Sequence, residues 1–142
     1  MIAKPARREK KRQGAAAVEF ALTLAVLMML VFASIEFVRL NMLKQSVEHA
    51  SYMAARKGII VGAKTADVRA EAEQHLALFS VTNGVVTVAP ANITDDTEVV
   101  EVTVEVPVSG NSWISPVYFS GSIEGKTRML AERVAAEMAA GL

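Results

Sequence analysis

The chain has 142 residues, 52% of them hydrophobic, no cysteine, and 15 basic against 15 acidic residues. That length suits one modest domain, and the lack of cysteine excludes a disulfide framework, a thiolate zinc site and a cysteine nucleophile while leaving the compartment open. The neutral total conceals an asymmetry. Residues 1–14 hold Lys4, Arg7, Arg8, Lys10, Lys11 and Arg12 against Glu9, a net +5, and the remainder holds nine Lys/Arg against fourteen Asp/Glu, a net −5. One basic end points to membrane or nucleic-acid contact. The basic block has no interleaved aromatics and abuts an apolar run, so no nucleic-acid partner is expected.

Ala15 through Ile35 carry one charge, Glu19. At about 1.5 Å per residue they span roughly 31 Å as a helix, close to the hydrocarbon thickness of a bilayer. The run is apolar on every side, unlike the stripe of a soluble amphipathic helix, and the residues that follow offer too little apolar surface to surround it. A transmembrane helix over 15–35 is therefore expected, with the lipid bilayer as its partner. The basic block keeps the N-terminus cytoplasmic and exports the C-terminal part. No Ala-x-Ala cleavage site followed by turn residues comes after the apolar core, so the segment is read as retained.

Glu19 is the anomaly in this run. A carboxylate about one turn inside an apolar helix is costly unless it snorkels to the interface, protonates or finds a partner. These readings stand at this point. If the chain were cut after Gly14, Ala15 would carry a new α-amino cation four residues before Glu19, on the same helix face. A stack of such helices could pair one subunit's carboxylate with another's terminal amine, so that an ion pair formed on assembly sets the register.

A basic leader, Gly14, small residues and then Glu19-Phe20 opening an apolar helix resemble the class III signal of type IV pilins. More specifically, Gly14 to Ala21, the apolar run and Ile35-Glu36-Phe37-Val38-Arg39-Leu40 resemble the TadE-like pseudopilins of the bacterial tight-adherence (Tad/Flp) pilus systems. The resemblance covers about residues 12–57. It implies cleavage between Gly14 and Ala15 by a prepilin peptidase, with Glu19 as the assembly glutamate, Phe20 as the adjoining aromatic, and Glu36-Phe37 as a second family motif. It further implies other pilins or pseudopilins and the inner-membrane assembly platform as partners. The location implied is the bacterial inner membrane, with possible incorporation in the pilus. The major pilins of these systems are much shorter than what remains after Gly14, which favours a minor pilin or pseudopilin.

Past Ile35 the helical period persists while one side turns polar. Phe37, Leu40, Leu43, Val47, Ala50 and Ala54 form the apolar side of an amphipathic extension over 36–57, ending near Gly58 as a C-cap. Thr65 is expected to cap a second helix, with Asp67 in its first turn and Val68, Ala72, Leu76 and Phe79 as its stripe. Asn83-Gly84 marks a turn before a strand at 85–89, which Pro90 ends. The clearest strand runs from Glu98 to Val108, with Val100, Val102, Val104, Val106 and Val108 on one face. A loop around Trp113 and Pro116 leads to a third strand from Ile123 to about Arg133, with Ile123, Thr127 and Met129 inward. Antiparallel pairing could set Lys126 and Arg128 against Glu101 and Glu105. The tail Val134–Leu142 is alanine-rich.

The expected architecture is thus α+β. Residues 1–14 form a basic leader, 15–57 one long helix (15–35 transmembrane, 36–57 amphipathic), and 58–142 a small exported domain. That domain holds the second helix and a three-stranded antiparallel sheet. No catalytic, cofactor-binding or metal site is expected. His49 and His75 sit on separate helices outside any HExxH-type array. The cluster Asp95, Asp96 and Glu98 reads as a solvated turn. Trp113, Tyr118 and Phe119 share one loop region, suited to a partner contact or to packing over a sheet edge. The functional expectation is a non-enzymatic minor pseudopilin. Its alternative is an uncleaved single-pass membrane protein with an extracytoplasmic binding or scaffolding domain.

Overall fold

A computed structural model describes residues 7–94, 96–111 and 121–132, with side chains from Gly14 onward. The architecture is α+β: α1 (Arg7–Gly58), α2 (Thr65–Leu78), β1 (Val85–Ala89), β2 (Val99–Pro107) and β3 (Ser122–Leu130). Helix α1 starts earlier than the apolar run. Arg, Lys, Glu and Gln are good helix formers, and extending an existing helix costs far less than starting one. The chain divides into two compact units, the first ending at Phe37 and the second starting at Val38.

The first unit is helical from Arg7. Its apolar side chains are exposed on all sides, from Val18 and Phe20 through Leu27 and Met29 to Ile35. The few hydroxyls are satisfied within the helix. Thr23 Oγ1 donates to the carbonyls of Glu19 and Phe20 at 3.0 and 2.9 Å, and Ser34 Oγ donates to that of Leu30 at 2.8 Å. Such back-bonding leaves no hydroxyl in need of water, as a hydrocarbon environment demands.

In the second unit the sheet runs β1-β2-β3, antiparallel throughout. The valine alternation of β2 fills the core: Val100, Val102, Val104 and Val106 are fully buried. Against them pack Leu43, Val47, Ala50, Ala54 and Ala55 of α1 with Val68, Ala72 and Leu76 of α2. Small α1 residues let the helix backbone come close to the sheet. At Gly125 a Cβ would lie 2.8 Å from the Val47 carbonyl oxygen and 2.9 Å from the Glu48 nitrogen. Beside that contact the buried Ser51 hydroxyl meets Thr127 Oγ1 at 2.8 Å.

Several expectations give way to packing. Phe37 is 68% exposed and Leu40 only half-buried, so the packed side of α1 starts at Leu43. Phe79 lies outside the α2 stripe and is 51% exposed, because α2 has already ended at Leu78. Thr65 is not the cap: Lys64 holds that position without a side-chain cap bond, and Thr65 Oγ1 accepts from the Ile93 amide at 3.2 Å. Gly58 is the last residue of α1 and is required by packing, since a Cβ there would meet Val100 Cγ1 at 2.8 Å. Strand β3 ends at Leu130, after which the Ala131 amide bonds Glu98 and the Glu132 amide bonds Ile59. Arg128 does face Glu101, and Lys126 reaches the same carboxylate at 2.8 Å, but Glu105 faces Glu124 and accepts from Ser122. Arg133, the tail Val134–Leu142 and the loop containing Trp113, Pro116, Tyr118 and Phe119 lie outside the described residues.

Asn111, which the sequence places in a loop, is buried and ties three segments together. Its amide nitrogen donates to the carbonyls of Thr82 and Pro107, both at 2.9 Å, and its side-chain oxygen accepts from the Thr82 amide at 2.9 Å. Its own carbonyl accepts from Arg39 Nε of α1 at 2.7 Å.

Two predictions follow from this packing. Gly125→Ala places a methyl against α1 backbone that cannot step aside, at a cost of about 1–3 kcal/mol in domain stability. Thermal unfolding of the full chain in detergent reads this as a lower midpoint. Asn111→Ala strands the Thr82 and Pro107 groups and lowers stability by about 1–3 kcal/mol. Hydrogen exchange should show the loss first at the Thr82 amide.

Candidate functional site

Helix α1 carries every sequence-predicted site residue, all of them in the first unit. Gly14, Ala15, Glu19 and Phe20 are all exposed on it. A Cβ built on Gly14 meets nothing within 4 Å. This glycine differs from others in the chain. Gly58, Gly84 and Gly125 are held by close neighbours, with Leu76 Cδ1 only 2.6 Å from a Cβ on Gly84, and Gly62 and Gly110 have φ of +81° and +89°. Glycine inside a helix is about 1 kcal/mol less favourable than alanine. Among the described residues, neither packing nor backbone conformation explains Gly14.

Glu19 forms no ion pair among the described residues. One turn later the Thr23 hydroxyl donates to the backbone carbonyls of Glu19 and Phe20. The carboxylate thus stands on an apolar helix with no intrachain cation described beside it, which is what the sequence anomaly requires if its partner comes from elsewhere.

The second motif lies seventeen residues on, roughly 25 Å along a helix, so the two Glu-Phe pairs are separate places. Glu36 is half-buried, and its Oε1 is shielded from solvent without a hydrogen-bond partner among the described residues. Phe37 projects outward. The folded chain does not gather these residues into a reactive cluster.

The most apolar 18-residue window of the span Gly14–Gly58 has a mean hydropathy of 2.3, and none of it is buried. By length and composition α1 can cross a membrane, and its exposure argues against the core helix of a soluble domain. Among the described residues it is the one helix that meets this test, as the anchor of a single-pass membrane protein or a signal sequence would.

Elsewhere the fold makes one pairing that the sequence did not signal. His49 of α1 and His75 of α2 meet edge to face with ring centroids 5.2 Å apart, and His75 Nε2 lies 3.4 Å from Glu71 Oε1. His49 is exposed and His75 half-buried, in keeping with boundary positions. No spacing rule could have found the pair, because the packing of α1 on α2 creates it. Among the described residues no group of three or more His, Asp or Glu side chains could hold a metal ion. In the acidic cluster Asp96 and Glu98 are exposed, and Asp95 lies outside the described residues.

Open cavities occur among the described residues of the second unit. One, about 320 Å³, lies by the α1–α2 connection between Ile59, Lys64, Ile93, Thr97 and Ala131. Two others, about 200 and 240 Å³, share Met42, Ser46 and Phe79. Ser46 and His49 line one of them together, but the Ser46 hydroxyl is turned back to the Met42 carbonyl at 2.8 Å.

No curated protein and no solved structure matches the chain significantly. Residues 14–56 match the family model described as TadE-like protein. The match begins at the unexplained Gly14, takes in both Glu-Phe motifs and stops two residues before α1 does. Over its long N-terminal helix this chain therefore carries the pattern of the TadE-like proteins.

Proposed function

We propose that the chain is a minor pseudopilin of a bacterial Tad/Flp pilus, cut between Gly14 and Ala15 by a prepilin peptidase. It acts in pilus assembly, priming or anchoring, and so in surface adherence. Its role is structural, not catalytic. The observation that carries this reading is Gly14: an exposed helical glycine that neither neighbours nor φ require, at the first residue of the TadE-like match. A residue that the fold does not need, yet which costs helix stability, has its reason in an outside reader such as a peptidase.

The sequence of events follows from charge and burial. The +5 leader keeps the N-terminus cytoplasmic while the apolar part of α1 enters the inner membrane and the C-terminal domain is exported. Cleavage removes the leader and leaves an α-amino cation on Ala15. Glu19 then finds its partner in the terminal amine of a neighbouring pilin or pseudopilin. In hydrocarbon each charge alone is costly, so the pair favours one register over its neighbours. Phe20 packs beside it. The assembly platform extracts and stacks the helices, and the domain from about residue 58 is displayed outside the membrane.

Mass spectrometry of membrane-extracted protein from cells with an active prepilin peptidase checks the cut. The expected N-terminus is Ala15, and Gly14→Leu leaves the precursor whole. An intact Met1 in the unsubstituted protein would point instead to an uncleaved single-pass protein with a scaffolding domain. The ion pair has its own test in pilus incorporation. Removing one partner of a buried pair costs about 3–5 kcal/mol, so Glu19→Ala lowers incorporation more than about a hundredfold. Glu19→Gln keeps a polar group without the charge and falls between. Equal incorporation of all three forms makes Glu19 a tolerated snorkeller.

A further inference from the structure

The Asn83-Gly84 pair leads into β1, and the fold demands both of its residue types. Asn83 has φ of +59°, in the left-handed region that side chains other than those of Asn and Asp rarely adopt. Gly84 has no room for a side chain: a Cβ there would lie 2.6 Å from Leu76 Cδ1 and 3.5 Å from Val106 Cγ2. A left-handed position followed by one that packing closes leaves few choices besides Asn-Gly and Gly-Gly. Asn-Gly is also the pairing in which an asparagine is chemically most exposed. Glycine has no side chain to shield its amide nitrogen, and its permissive backbone lets that nitrogen turn toward the preceding carboxamide.

The chain holds four asparagines, Asn41, Asn83, Asn92 and Asn111, in different surroundings. Asn41 lies within α1, where the helix fixes the backbone. Asn92 is exposed, but the β-branched Ile93 follows it, and the Ile93 amide is occupied in donating to Thr65 Oγ1 at 3.2 Å. Asn111 is buried, and its carboxamide is engaged at both ends by Thr82 and Pro107. Asn83 is exposed, and among the described residues no hydrogen bond engages its carboxamide or the Gly84 amide. Here the electrophilic carbon and the nitrogen that can attack it are both unengaged.

We propose that Asn83 is a site of spontaneous covalent modification, converting to isoaspartate and aspartate. The Gly84 nitrogen gives up its proton to hydroxide and bonds to Asn83 Cγ. The Cγ–Nδ2 bond breaks, and Nδ2 takes a proton from water and leaves as ammonia. The resulting succinimide is opened by water. Breaking its bond from Gly84 N to Asn83 Cγ gives aspartate on the ordinary backbone. Breaking the bond from Gly84 N to the main-chain carbonyl carbon of Asn83 gives isoaspartate, whose backbone runs through Cβ and Cγ. In sum a water enters and an ammonia leaves, and nothing is oxidised or reduced.

The two products act differently on the fold. Aspartate is tolerated at positive φ, and its charge stands at an exposed position, so the turn keeps its shape. Isoaspartate lengthens the main chain by a methylene between two fixed points. On one side Asn111 holds the Thr82 amide and carbonyl, both at 2.9 Å. On the other, Val85 pairs with Glu105 and Val86 enters the core. The added length loosens one of these anchors, and β1 is an edge strand of five residues with a partner on one side only among the described strands. The inference concerns the second unit alone and does not depend on the proposed pilus role.

The test follows the full chain in detergent and neutral buffer over weeks. Peptide mass spectrometry with electron-transfer fragmentation, which separates isoaspartate from aspartate, reads each asparagine. Asn83 is expected to convert several-fold faster than Asn92 and Asn111, with isoaspartate among its products. The purified isoaspartate form is expected to exchange hydrogen faster at the Thr82 amide and along β1 than the unaged protein. Asn83→Gly suits the same φ and carries no carboxamide, so it is expected to keep its protection through the same incubation. Freshly prepared Asn83→Asp is expected to match the unaged protein, which separates charge from chain length. Conversion of Asn83 no faster than that of Asn92, or confined to chains unfolded in urea, overturns the site. An isoaspartate form with unchanged exchange at Thr82 and β1 overturns the structural consequence. Equal loss of protection in fresh Asn83→Asp assigns the effect to charge and overturns the lengthening argument.

Discussion

The second unit depends on how closely α1 approaches its sheet. Gly125 on β3, with Ala50, Ala54 and Ala55 on the helix, lets the backbone at Val47 and Glu48 sit almost directly on a strand. That approach puts the valine face of β2 out of reach of water and sets Ser51 against Thr127. Interiors packed to this density respond to a single added methyl. The β2 valines are interchangeable in kind with other β-branched residues, but the contact at Gly125 leaves room for no side chain.

The same helix meets two solvents. In the first unit its apolar side chains are exposed all round and its hydroxyls are bonded back to the helix, as lipid requires. In the second its small residues face a core, Arg39 is half-buried against Asn111, and Lys44 and Glu48 lie 3.8 Å apart on the outside. One continuous helix therefore contributes an exposed apolar surface to the first unit and core residues to the second. Free energy gained by burying the domain's core and by placing the span in lipid is drawn from different residues of that helix, so a substitution in one stretch need not disturb the other.

Gly14 and Glu19 are local misfits of opposite kind. The glycine weakens a helix for no gain in packing, and the glutamate puts a charge on an apolar surface without a described partner. Natural sequences are for the most part locally consistent, and departures concentrate where function asks for them. Both misfits become consistent once the chain is treated as a precursor whose cut end and carboxylate meet in an assembly.

Much of this was legible in the residues. The all-round apolar run after a basic block, the five alternating valines of β2 and the outward charges of β3 set the long helix, the sheet and the α+β class, because periodicity reports which side of an element is dry. The reading failed at the ends of stripes. Phe79 fits a helical spacing but falls one turn beyond Leu76, after α2 has ended, and Phe37 fits the spacing yet is 68% exposed. Thr65 fits a cap by type, but its hydroxyl is taken by Ile93, a partner 28 residues away. Asn111 carried no signal, since its three-way bonding to Thr82 and Pro107 exists only after β2 and the α2–β1 connection have come together. The sequence by itself thus determined the elements, the lipid-seeking span and the two misfits of its first third, all properties of neighbours along one chain. Only the tertiary structure decided which glycines packing demands, where the core stops, and that Met42 and Phe79 line one cavity. Those depend on contacts between residues far apart in sequence, which no local pattern encodes.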